Sequence, residues 1–160
     1  MCIFVKSYHL SNEPTECYKL VRRLPDECLV TSPFNTTFVW TIGKVYRDEQ
    51  KEVFVPSEDY RSKPFFPRIG DEAFFLTREP EFKGELTQGV FHAFKTRDGA
   101  EKLLLYFLKE ASCMYGPYTS RDFAIVKCLI PKDTWFCYGE DATTGCECYG
   151  SKSLKIIKIL

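Results

Sequence analysis

Histidine and cysteine are the residue types in this sequence best suited to chemistry near neutral pH. The 160-residue chain has two histidines, His9 and His92, so any general base or imidazole ligand must be one of them. His9 precedes a polar turn and has no evident partner. His92 lies in an apolar run, where strand alternation puts it on the same face as Phe94. We interpret His92 first as a hydrogen-bonded core histidine and only second as a catalytic candidate, because a base needs a positioned partner.

The eight cysteines are spaced in a way that favours buried thiols over a zinc site. A zinc knuckle needs two close pairs, and the only close pair here is Cys146 and Cys148. Cys17, Cys28 and Cys128 lie in or beside apolar runs, where a thiol packs as a small hydrophobe. Cys146 and Cys148, in a segment rich in Gly and Thr, remain candidates for reactive or redox-active thiols.

Other catalytic and ligand-binding patterns are missing from the sequence. There is no Gly-x-Ser-x-Gly nucleophile elbow and no glycine-rich phosphate loop, so the familiar ATP and NAD folds are not expected. Four acidic pairs could bind a hard cation, but we expect them in loops as solvated charge. These pairs are Asp48-Glu49, Glu58-Asp59, Asp71-Glu72 and Glu140-Asp141. The sequence therefore predicts no metal site and no cofactor.

One strong helical signal follows His92. Apolar residues recur at three- and four-residue spacing from Ala100 to Ala111, which predicts an amphipathic helix over about 97–111. Thr96 is the expected N-cap, and Asp98 falls in the first turn, where a carboxylate favours the helix dipole. The Gly116-Pro117 pair is expected to end the helical segment.

Short runs rich in β-branched and aromatic residues predict many strands around this helix. The predicted strands are 2–8, 17–21, 28–30, 37–42, 73–76, 90–94, 123–130, 134–138 and 154–160. Strand 123–130 is almost unbroken in its apolar character, which predicts a central position in the sheet. The sequence therefore predicts one α+β domain over residues 1–160, with a mostly antiparallel sheet and a long loop region over about 47–70.

Composition excludes several classes of protein. The chain is 44% hydrophobic and has 22 basic and 22 acidic residues, so it can bury a core but has no net charge to attract nucleic acid. No apolar stretch approaches the roughly 20 residues that cross a bilayer, and the N-terminus lacks the pattern of a secretory signal. We therefore expect an intracellular chain that is not secreted, with no membrane insertion and no nucleic-acid partner.

Three segments resemble a group of small uncharacterised proteins of phages, gut bacteria and large DNA viruses. They are GVFHAFKT at 89–96, VKCLIPKDT at 126–134 and YGSKSLKII at 149–157, with a weaker likeness at 18–21. The resemblance implies a scaffold of strands around one helix and an origin in a virus or mobile element. It also implies a location in the host cytoplasm or in the virion.

The order of certain residues is similar to that of the ADP-ribosyltransferase fold, in which an early Arg or His, a middle Ser or Tyr and a late Glu act on NAD. Here the order would be His92, then Tyr106 or Tyr115, then Glu140 or Glu147. The surrounding residues do not repeat that family's motifs, so no catalytic role is assigned on this order.

Two main functional hypotheses follow from these patterns. The first is a non-enzymatic structural or interaction protein, such as a virion component of the minor capsid type or a host-directed factor. It would bind protein partners and could form oligomers, because 16% of the residues are aromatic and some of the Tyr side chains would be available for an interface. The alternative is an NAD-using enzyme similar to ADP-ribosyltransferases.

Overall fold

The computed structural model describes residues 3–26, 29–31, 33, 39–47, 54–56, 84–86, 91–111 and 118–160. Several predictions fall outside these residues. They are the strand at 73–76, the packing of Cys28, the position of Tyr115, the helix end at Gly116-Pro117, three of the acidic pairs and most of the loop region 47–70.

The described residues form twelve strands and one α-helix, all in short elements. The strands are β1 (Ile3–Leu10), β2 (Thr15–Arg23), β3 (Leu29–Thr31), β4 (Val39–Thr41), β5 (Val45–Arg47), β6 (Phe54–Pro56), β7 (Gly84–Leu86), β8 (Phe91–Phe94), β9 (Phe123–Ile130), β10 (Trp135–Asp141), β11 (Glu147–Ser151) and β12 (Ser153–Ile159). The helix α1 spans Arg97–Tyr106 and continues as a wider π-helical turn over Phe107–Ala111, and a 3-10 turn spans Ser120–Asp122.

The strands form one antiparallel sheet. Along the sheet the order is β5-β12-β9-β2-β8-β11-β10-β1-β7-β6, and β3 joins the side of β2 and pairs with β4. The prediction of an α+β domain with a mostly antiparallel sheet of many short strands is confirmed. Strand β9 pairs with β12 on one side and β2 on the other, in the interior position predicted for it. None of the described helices is long and apolar enough to span a bilayer.

Each face of the sheet has its own apolar core. The core on the helix face is formed by Ile3, Val5, Leu20, Phe94, Ala100, Leu103, Phe107, Phe123, Ile125, Cys137 and Cys148. The core on the second face is formed by Cys17, Val21, Val30, Trp40, Ala93, Ala124, Val126, Cys128, Ile130, Phe136, Leu154 and Ile156. Because both faces of the central strand β9 are buried, this strand is apolar at every position except Lys127.

Helix α1 begins as its sequence predicts. The Thr96 side chain accepts a hydrogen bond from the Gly99 amide at 3.3 Å, and Asp98 lies in the first turn. Gly99 is buried beneath Phe94, so close that an added Cβ would lie 2.8 Å from the ring atom Cδ1. The absent side chain at position 99 therefore allows the helix to pack directly on β8.

Replacing Gly99 by alanine should lower the free energy of unfolding by about 1 to 2 kcal/mol. Overpacking against the buried Phe94 ring costs about 1–3 kcal/mol, and the better helix propensity of alanine offsets up to about 1 kcal/mol. Urea denaturation measures the change. The control is Glu101→Ala, which removes the exposed ion pair with Arg97 on the same helix and should change the free energy of unfolding by less than about 0.5 kcal/mol. A Gly99→Ala protein as stable as the wild type would contradict the close approach of the helix to Phe94.

Four strands were not predicted, namely β5, β6, β7 and β11. Each is at most five residues long, and β7 and β11 contain a glycine and a glutamate. The predicted loop region also contains a short strand, β6, which pairs with β7. These strands form because a neighbouring strand supplies hydrogen bonds, which a local pattern does not reveal.

Candidate functional site

Lys19 occupies the centre of the sheet, on the second face. Its strand neighbours Cys17 and Val21 belong to the core of that face, and period-2 alternation places the Lys19 side chain among them. Only 7% of Lys19 is exposed. A buried ammonium group is expensive, so its contacts decide what it can do.

The Lys19 ammonium interacts with a backbone oxygen and an aromatic ring. Its Nζ donates a hydrogen bond to the backbone oxygen of His92 at 2.6 Å and lies 5.9 Å from the centroid of the Trp40 ring. None of the ion pairs within the described ranges includes Lys19. Burial lowers the pKa of Lys19, and the nearby thiols of Cys128 and Cys17 oppose this shift.

This hydrogen bond bridges a gap in the sheet. Strands β2 and β8 pair only at Tyr18 and Phe94, whereas β2 pairs with β9 along its length. Lys19 follows this single pair on β2 and reaches the oxygen of His92 on β8 with its side chain. It therefore supplies an interstrand bond where the backbone ladder has ended.

His92 lies on the helix face, as alternation predicts. Its neighbours Phe91 and Ala93 pack on the second face, whereas Phe94 belongs to the core of the helix face. His92 is buried, but its Nδ1 has no hydrogen-bond partner among the described residues. The predicted burial of His92 in the core is confirmed, whereas the described residues leave its Nδ1 unsatisfied.

The environment of His92 favours the neutral imidazole. Burial, followed by the positive charge of Lys19, lowers the pKa of His92 well below its ordinary value. No carboxylate opposes this shift within the structure's described ranges. The described residues around His92 therefore do not form a catalytic pair of histidine and acid.

The residues suggested by the ADP-ribosyltransferase order are dispersed. Glu140 and Glu147 are cross-strand partners, and Glu147 shares its side of β11 with Tyr149, which packs on the second face. His92 projects to the opposite, helix face. Tyr106 packs at the edge of the core on the helix face. The described residues thus do not bring His92 and a glutamate to one cleft.

Of the two cysteines proposed as reactive, Cys148 is fully buried. Burial, followed by the charge of Asp141, raises the pKa of Cys148 well above its ordinary value, which opposes reactivity. Cys146 is partly buried, and its thiol contacts the backbone oxygen of Thr144 at 3.7 Å.

The acidic pair Glu140-Asp141 is on a strand, so its predicted placement in a loop is wrong. Asp141 is 1% exposed, and its Oδ1 accepts hydrogen bonds from the backbone N–H and the hydroxyl of Thr144 at 2.9 and 2.8 Å. This arrangement stabilises the turn between β10 and β11. Within the described part of the chain, no three His, Cys, Asp or Glu side chains are grouped to hold a metal ion.

An aromatic surface on β10 and β11 is a feature that the sequence did not locate. The ring centroid of Tyr149 lies 5.4 Å from that of Phe136 and 6.0 Å from that of Tyr138. Tyr138 donates a hydrogen bond to Glu147, and Lys95 Nζ lies 5.5 Å above the Tyr138 ring. We call these five residues, Phe136, Tyr138, Tyr149, Lys95 and Glu147, the tyrosine surface.

One ion pair lies within the tyrosine surface and a second lies beside it. Lys95 Nζ lies 3.0 Å from Glu147 Oε2, and Lys6 Nζ lies 2.5 Å from Glu140 Oε1. All four side chains are between 43% and 50% exposed. His9 extends the aromatic contacts, since its ring lies 5.4 Å from Phe136, and so the expectation that His9 has no partner is wrong. The result is a partly exposed aromatic centre with balanced charges around it.

Comparisons with protein-family models, curated proteins and solved structures found no match to this chain.

Proposed function

We propose that this chain is a non-enzymatic structural or interaction protein that assembles with further copies of itself through the tyrosine surface. The observation that supports this proposal is the partly exposed aromatic group at Tyr138 and Tyr149, bordered by ion pairs. Aromatic residues at the centre of a patch, with polar residues around it, form the usual anatomy of a protein interface. We further propose that the protein is a virion component or a host-directed viral factor in the host cytoplasm. The likeness of segments 89–96, 126–134 and 149–157 to phage and viral proteins is the support for this narrower proposal.

A second copy is the partner that the charges favour. Lys6 and Lys95 are balanced by Glu140 and Glu147, so a two-fold arrangement can place each basic group against an acidic group of the other copy. The chain as a whole has 22 basic and 22 acidic residues, so two copies do not repel each other at long range.

The Tyr138→Ala variant should raise the dissociation constant of self-association at least tenfold. Loss of the ring removes the contact with Tyr149 and the cation–π contact with Lys95. Truncation of a tyrosine at the centre of an interface typically causes a large loss of binding free energy. Sedimentation velocity over a range of protein concentrations measures the constant. Tyr138→Phe should retain most of the affinity because the ring stays in place.

The matched control is Leu105→Ala. Leu105 is 51% exposed on the helix, on the other side of the sheet, so its loss should leave assembly unchanged. A wild-type chain that stays monomeric at every concentration would overturn assembly with itself. Transfer of labelled ADP-ribose from NAD by the wild type, but not by His92→Ala, would overturn the non-enzymatic assignment.

A further inference from the structure

Two buried thiols face each other across the longest strand pairing in the sheet. Cys17 on β2 is the direct register partner of Cys128 on β9. Both residues belong to the core of the second face, and neither is exposed. Sequence spacing did not reveal this pair, because the two cysteines are far apart in the chain.

The geometry meets the requirements of a disulfide. Directly opposed residues of an antiparallel pair have Cα atoms about 4.5–5.5 Å apart and side chains on one face. A disulfide accepts Cα separations of about 4.4–6.8 Å. The neighbouring Cys128 thiol, followed by burial, raises the pKa of Cys17, in keeping with this register.

The cation of Lys19 lies on the same side of the same strand. The pKa of Cys17 is raised well above its ordinary value, and the positive charge of Lys19 opposes this shift only in part. Other thiols of the core lack this arrangement, since Cys137 and Cys148 are offset in the register and lie on the helix face. The Cys17 and Cys128 pair is thus the best placed for a bond between described cysteines.

We propose that Cys17 and Cys128 form a reversible cross-strand disulfide that locks β2 to β9 when a small peroxide oxidises the protein. One thiolate attacks the peroxide, takes up its OH group as a sulfenic acid and releases water after protonation. The second thiol then displaces that oxygen as another water, so two S–H bonds break and one S–S bond forms. Two electrons pass from the sulfurs to the peroxide, and a small dithiol reverses the bond by exchange.

Burial determines the rate of this reaction. Fully buried thiols react only when the sheet opens locally or a small oxidant reaches them. Peroxide should therefore oxidise Cys17 and Cys128 more slowly than it oxidises the partly buried Cys146. Once formed, the bond closes a loop of more than 100 residues and restricts the unfolded chain strongly.

The test is hydrogen peroxide treatment of the folded wild type, followed by blocking of free thiols in denaturant at acid pH and tryptic mapping. We expect one cross-link, between the peptides 7–19 and 128–132, and a mass loss of about 2 Da. The melting temperature should rise by roughly 10 °C and return after dithiothreitol is added. Cys17→Ala and Cys128→Ala should each abolish the cross-link, and Cys146→Ser should keep it.

Three results would overturn the proposal. One is that both thiols stay reduced in the folded protein after prolonged exposure to a peroxide dose well above the one that oxidises Cys146. Another is that the bonds formed in the folded protein join other cysteines. The last is a cross-linked protein that melts no higher than the reduced one. Peptide mapping of the oxidised wild type tests the proposed bond even if an alanine variant does not fold. Oxidation in denaturant, where all eight cysteines can pair, gives the mixture of disulfides for comparison.

Discussion

Replacing Lys19 by alanine should lower the free energy of unfolding by about 3 kcal/mol. The substitution leaves the backbone oxygen of His92 without its hydrogen bond, which costs about 1–3 kcal/mol for a buried group. It also removes the aliphatic stem that packs among Cys17, Val21 and Trp40, and so opens a cavity in the core. Relief from the buried charge offsets part of this loss.

Lys19→Met separates the stem from the charge. Methionine fills the same space without an ammonium group, and relief from the buried charge offsets the lost hydrogen bond to His92, so this variant should stay within about 1 kcal/mol of the wild type at pH 7. Because folding lowers the pKa of Lys19, the unfolded chain holds the proton more tightly than the folded one. The wild type should therefore gain stability relative to Lys19→Met as the pH rises through the folded pKa towards 10.5.

Urea denaturation at several pH values tests both variants. Lys102→Ala is the control, because Lys102 is 55% exposed and its pair with Asp98 on the helix should contribute less than about 0.5 kcal/mol. An alanine variant as stable as the methionine variant would show that the packing of the stem contributes little, because neither variant keeps the bond to β8.

The sequence predicts the parts of this fold that are encoded locally. Helix α1 could be predicted with its cap because Thr96, Asp98 and the spaced apolar residues lie within one short segment. Strand β9 could be predicted because its apolar run has one interruption, at Lys127. Strand β11 could not, since Cys148 and Gly150 depend on hydrogen bonds from β8 and β10 on either side.

The candidate site was harder to predict because it depends on sheet order. Lys19 has the same strand parity as Cys17 and Val21, which was a signal for its burial. That signal was weak, since Tyr18 and Leu20 made the other face apolar too. The bond from Lys19 to His92 and the facing of Cys17 and Cys128 required knowledge of which distant strands are neighbours.

Acid should destabilise the protein through His92. The folded protein holds His92 neutral, with a pKa well below 6.5, whereas the unfolded chain takes up a proton near 6.5. The stability from this group is present above pH 6.5 and is lost as the pH falls towards the folded pKa, by up to about 1.4 kcal/mol per pH unit. Between pH 7 and pH 5 the loss is about 2 kcal/mol at most.

The measurement is the free energy of unfolding from pH 7 to pH 5 for the wild type and His92→Leu. Leucine leaves no buried nitrogen without a partner, so the variant should be at least as stable at pH 7 and should gain up to about 2 kcal/mol on the wild type at pH 5. Carboxylates titrate in both proteins, so the difference isolates residue 92. His9→Gln, at an exposed histidine, should follow the wild type.

Lys19→Met provides an independent check on the cause. The charge of Lys19 is the second contribution to the low pKa of His92, after burial, so its removal should make the folded protein accept the proton at a higher pH. The loss of stability in acid should then be smaller than in the wild type, although His92 itself is unchanged. If the free energy of unfolding changed equally with pH in the wild type and in His92→Leu, protonation of His92 would not oppose folding. The folded protein would then accommodate a charged imidazole at this position.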